Sequence, residues 1–116
     1  MHEMSLALEI LRIVEKTARM NHAPIVKDIF IEVGTLAGVM VHALEFCLEV
    51  AKKDTPAGGA VIHIEQVPGK GKCPVCDQEY PMATLIEPCP VCDTSYLAMT
   101  AGDDLRLREI EVESQI

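Results

Sequence analysis

The chain has 116 residues, a formal net charge of −8, 49% hydrophobic residues, 3% aromatic residues and no Trp. That length suits one compact domain or a small domain carrying a metal-stapled module, and the apolar content excludes a disordered chain. The acidic balance argues against a phosphate-backbone partner, and the scarcity of aromatics against base stacking on single-stranded nucleic acid.

Residues 4–20 predict a helix. Met4, Leu6, Leu8, Ile10, Leu11, Ile13, Val14 and Ala18 are apolar, and Glu9, Arg12, Lys16 and Arg19 form a polar stripe with a period near that of a helix. The apolar face is wide, so it is expected to be well covered. Ser5 or Glu3 is a candidate cap, and Pro24 ends the element. His22 stands at the helix end, where a cation offsets the dipole. The run "IVKDIFIEV" at 25–33 predicts a strand with Ile29, Ile31 and Val33 on one face.

A turn at 34–38 leads to a second predicted helix at 39–53. Its expected polar stripe is His42, Glu45, Glu49 and Lys52, with Ala43, Phe46, Cys47 and Val50 opposite. "DTPAGG" at 54–59 is a loop, and "AVIHIEQV" at 60–67 predicts a second strand, whose His63 can face solvent. "PGKGK" at 68–72 has the composition of a hinge. After the cysteine segment, "DLRLREIEV" at 104–112 predicts a strand that slips register near Arg108-Glu109, as a β-bulge would require. Alone, that strand could not bury its apolar face, so it should return to the first sheet. The expected fold class is α+β: two helices on a small mixed three-stranded sheet, with an inserted four-cysteine ribbon. The expected domains are 1–67 plus 101–116, and 68–100.

Cys73-Pro-Val-Cys76 and Cys89-Pro-Val-Cys92 form two C-x-x-C turns. Facing each other, they offer four thiolates in the tetrahedral arrangement that suits Zn²⁺, one ion per chain. Four protein ligands close the coordination sphere, so the site should be structural. An iron site of rubredoxin type uses the same ligand set, and two disulfides are a further alternative. No apolar run approaches the roughly 20 residues of a membrane span, and Arg12, Glu15 and Lys16 interrupt any leader-like stretch. A cytoplasmic location is therefore expected, where disulfides are rare. Lys70 and Lys72 are set against Asp77, Glu79, Glu87 and Asp93, which is a poor surface for nucleic acid. Cys47 reads as a small core residue.

The chain opens Met1-His2-Glu3. The Met1 amine, the backbone nitrogen of His2 and its imidazole lie on consecutive chelate rings, and Glu3 could add a donor. Such a planar nitrogen set suits Ni(II) or Cu(II). From spacing alone, a solvated terminal histidine is the simpler reading. His42, on the polar stripe of the second helix, is a weaker ligand candidate.

Taken together, "MHEMSLAL", "EVGTLAGV" at 32–39, "ALEFCLEVAKKDTPAGGAVIHIEQVP" at 43–68, the paired cysteines and "GDDLRLREIEVE" at 102–113 resemble the HypA/HybF family of nickel metallochaperones for [NiFe]-hydrogenase maturation. The resemblance covers essentially the whole chain, in order. It implies a nickel-binding α/β domain with an inserted zinc domain. It implies His2 as the key nickel ligand, assisted by Met1 and supported by Glu3, with zinc on Cys73, Cys76, Cys89 and Cys92. Nickel would be transient cargo. The implied partners are a HypB-type GTPase and the hydrogenase large subunit, with urease maturation a further role. No catalytic constellation is present, so a non-enzyme is expected, with neither nucleic acid nor membrane as partner. A homodimer exchanged through the 68–72 hinge stays open.

Two departures from the family pattern stand out. Some members carry an Asp in the turn near position 40, where this chain has Met40, so no ligand is carried over there. Each cysteine pair is often followed by Gly, where this chain has Asp77 and Asp93. Asp tolerates left-handed backbone, so the turns should survive. The rivals are a zinc-ribbon adaptor with no nickel role and a rubredoxin-like electron carrier.

Overall fold

The computed structural model describes residues 3–113. The elements in chain order are α1 (Glu3–Met20), β1 (Val26–Gly34), α2 (Val41–Ala51), β2 (Val61–Val67), β3 (Lys70–Lys72), β4 (Glu79–Pro81), β5 (Ala98–Ala101) and β6 (Leu105–Val112). The chain divides into two units. One comprises residues 1–31, 40–65 and 106–116, and the other 32–39 and 66–105.

In the first unit, α1 buries Ala7, Ile10, Leu11, Val14 and Ala18, a repeat of three and four residues that sets one helical stripe inward. It packs on α2. The helix ends by a local device: Ala23 N–H reaches back to Ala18 C=O at 2.9 Å, and His22 takes the left-handed turn with φ 54°. The covering of α1 is narrower than expected. Met4 is 40%, Leu8 56% and Ile13 43% exposed.

α2 differs more from the sequence reading. It buries Leu44 and Leu48, while Phe46 is 67% and Val50 43% exposed. Cys47 is only half-buried. Lys52, expected on the polar stripe, is 8% exposed. Its Nζ donates to Ala60 C=O at 2.5 Å and pairs with Glu49 at 3.1 Å, so the ammonium ties the end of α2 to the loop before β2.

The larger sheet has the order β2-β1-β6, so the last strand does return to the first. Ile29, Ile31 and Val33 are buried along β1 as the alternation requires. In β6, Leu105, Leu107, Ile110 and Val112 are half-buried and Arg108 and Glu109 are both exposed, which is the expected one-residue slip. On the other face of this sheet, Phe30 stacks on His63 at 4.5 Å, Arg108 lies 5.3 Å from the Phe30 ring centre, and His63 Nε2 meets Asp28 Oδ1 at 2.9 Å.

In the second unit, a small sheet of order β4-β3-β5 is antiparallel throughout. Its strand β3 occupies part of the segment read as a hinge. Thr35 N–H donates to Val67 C=O at 2.9 Å, and Leu36 N–H to Gly102 C=O at 2.8 Å. Backbones approach closely here: a Cβ on Gly34 would run into the Gly102 carbonyl, and Gly102 itself has φ 91°. Side chains are excluded at both positions for steric reasons.

Candidate metal centre

Each C-x-x-C pair folds into the same turn. Cys73 N–H donates to Gln78 C=O at 3.0 Å, and Asp77 N–H to Cys73 C=O at 2.8 Å. In the second turn, Cys89 N–H donates to Ser95 C=O at 2.9 Å, and Asp93 N–H to Cys89 C=O at 3.1 Å. Closing such a turn needs left-handed backbone after the second cysteine. Asp77 and Asp93 supply it, with φ of 59° and 53°. Lys72 Nζ pairs with the Asp77 carboxylate at 3.0 Å.

The two turns bring all four sulfurs within 4.8 Å of one another. Cys73 Sγ lies 3.7 Å from Cys92 Sγ, and Cys76 Sγ lies 3.9 Å from Cys89 Sγ. A tetrahedral ion with metal–sulfur bonds of about 2.3 Å needs sulfurs about 3.8 Å apart. The four thiols therefore fit a metal ion, and all four are free rather than disulfide-bonded. Cys73 and Cys89 are buried beside Met82 and Leu97, while Cys76 and Cys92 are half-buried.

Backbone donors prepare the sulfurs for negative charge. Cys76 N–H points at Cys73 Sγ at 3.3 Å and Cys92 N–H at Cys89 Sγ at 3.5 Å. The Thr94 hydroxyl and N–H hold the Cys92 thiol down at about 6. Burial pushes Cys89 up, but the N–H groups of Cys92 and Val91 more than offset it. Burial, joined by hydrogen bonds with the other three cysteines, pushes Cys76 up to about 12. Four thiols packed this closely cannot all ionise without a cation among them.

Of the terminal candidates, Met1 and His2 lie outside the described residues. Glu3 opens α1, and its carboxylate accepts the Met40 N–H at 3.1 Å. That bond joins residues 37 positions apart and lies at the start of α2, where the N-cap residue Met40 makes no side-chain cap of its own. Sequence reasoning missed this link, because no local signal connects the two positions. His42 is exposed.

Comparison with known proteins places these features together. The family described as hydrogenase/urease nickel incorporation metallochaperone, HypA, matches residues 1–112. The hydrogenase maturation factor HypA of an Azoarcus species is 46% identical over 110 residues, covering 95% of this chain and 96% of that protein. The hydrogenase maturation factor HypA of Geobacter metallireducens is 40% identical over 113 residues, covering 97% and 100%. The fold resembles the solution structure of the nickel metallochaperone HypA from Helicobacter pylori, with a TM-score of 0.70, 19% identity and coverage of 99% and 100%. A second HypA solution structure gives 0.71 at 19% identity. These relatives decide against an adaptor without a nickel role and against an electron carrier. The chain belongs to the HypA family of nickel metallochaperones for hydrogenase maturation.

Proposed function

We propose that the N-terminus is the nickel site of this metallochaperone, with His2 as the key ligand, the Met1 amine and backbone nitrogens beside it, and Glu3 in support. The observation that carries this reading is the reach of the family match, which includes residue 1 and therefore the Met1-His2-Glu3 stretch. The physical argument is the one set by position: at residue 2 the terminal amine, the intervening backbone nitrogen and the imidazole lie on consecutive chelate rings. The tie from Glu3 to Met40 gives the Glu3 carboxylate a second task, holding the first turn of α1 against the start of α2.

In this reading the nickel domain is 1–67 plus 101–116, and the ribbon 68–100 holds one structural Zn²⁺ on Cys73, Cys76, Cys89 and Cys92. Zinc bound there supplies folding energy and no open coordination position. The protein works in the cytoplasm as a carrier rather than an enzyme. It meets a HypB-type GTPase, delivers to the hydrogenase large subunit and in some settings serves urease, and it can form a homodimer. Among the described residues, no helix is long and apolar enough to cross a membrane.

The test is a Ni(II) titration of the protein, of His2→Ala and of a form with one extra residue before Met1. Both changes should weaken nickel binding while zinc content stays at one per chain. Equal affinity in all three would remove the terminus from the site.

A further inference from the structure

The outward face of α1 is neither buried nor evenly polar. Leu8 is 56%, Ile13 43% and Met20 72% exposed on it. Between these apolar side chains stand Arg12, Lys16 and Arg19, which with Glu9 and Ile13 line an open depression of about 520 Å³. Arg12 is paired with Glu9 at 2.6 Å. Lys16 and Arg19 make no ion pair among the described residues. The chain as a whole carries a formal charge of −8, so this is a local reversal of sign. Solvation alone does not need it: an acidic protein keeps itself soluble with acidic surface.

We propose that this face of α1 docks an acidic amphipathic helix of a partner protein. The reasoning is charge and length. Arg12, Lys16 and Arg19 are spaced by four and then three residues, so they rise about 10 Å along the helix axis. That matches carboxylates two turns apart on a partner helix, and Leu8, Ile13 and Met20 match its apolar residues. A long polyanion would extend past the three cations onto acidic surface, where the net charge repels it. An anionic bilayer meets the same repulsion over a wider footprint. The proposal does not depend on the reading of the nickel site.

The experiment uses a fluorescently labelled, helix-forming peptide of three turns with Glu at positions i, i+4 and i+7 and Leu between them. A second peptide carries Gln in place of each Glu. Fluorescence anisotropy at low salt should show binding of the Glu peptide to the full chain. Affinity should fall about tenfold or more for the Gln peptide, for the exposed triple variant Arg12→Glu, Lys16→Glu, Arg19→Glu, and on raising salt. Circular dichroism and nickel titration of the triple variant should match the parent, which separates lost docking from lost folding or lost nickel binding. Absence of binding by the Glu peptide, or equal binding of the two peptides, overturns the proposal. So does equal binding by parent and variant. Tighter binding to phosphatidylserine vesicles or to a DNA duplex than to the peptide also overturns it.

Discussion

In the unit built on α1 and α2, the interior is aliphatic: Ile10, Leu11, Val14, Ile29, Ile31, Leu44 and Leu48 are all at most 4% exposed. In the cysteine unit, the buried cluster is Cys73, Met82, Cys89 and Leu97, so half of its members are thiols. The first interior is closed by hydrophobic burial, which needs nothing added. The second places four sulfurs at the spacing of a metal's coordination shell and leaves little else to hold it. One unit should therefore answer to side-chain volume and the other to metal.

Cysteine replacement should break this contrast most sharply. Cys73→Ser removes a buried ligand, and the metal-linked part of the folding energy, on the order of 10 kcal/mol for four-ligand zinc sites, should be lost. Metal content should fall to near zero, and amide exchange should speed up in 66–105 while α1 stays protected. A chelator should do the same to the unmodified chain. Leu48→Ala is the mirror test. It should lower global stability by about 2–5 kcal/mol in denaturant melts and leave metal content unchanged.

Gly102→Ala comes next, because φ 91° and the nearby Gly69 backbone both oppose a Cβ. A loss of about 1–3 kcal/mol is expected by chemical denaturation. Lys52→Met should cost about 1–2 kcal/mol, since it strands the Ala60 carbonyl, and only the helical unit should feel it.

Periodicity made α1, the long strands and the slip at Arg108-Glu109 legible, because each element repeats its pattern several times. The cysteine pairs were legible because their spacing dictates a turn. The face of α2 was not. Apolar residues surround that helix, so Leu44 and Leu48 could not be told from Phe46 and Val50 by period alone. β3, β4 and β5 have three or four residues each, too few to alternate, and β3 looked like a hinge because it is Lys-Gly-Lys. Lys52 looked exposed because its carbonyl partner arrives from outside the helix. The terminal chelator came from whole-chain resemblance rather than from residue pattern, and Met1 and His2 lie outside the described residues.

The two aspartates that close the cysteine turns have a consequence for how those turns form. Glycine reaches left-handed backbone without strain but leaves the unfolded segment more freedom to lose. Aspartate is strained by up to about 1–2 kcal/mol there, yet restricts the unfolded segment by about 0.4–1 kcal/mol. The two effects largely offset each other. What the turn demands is thus a backbone angle, and Asp77 and Asp93 meet it as glycine would. They do so while adding two negative charges beside four thiols that lie at the spacing a metal ion would need.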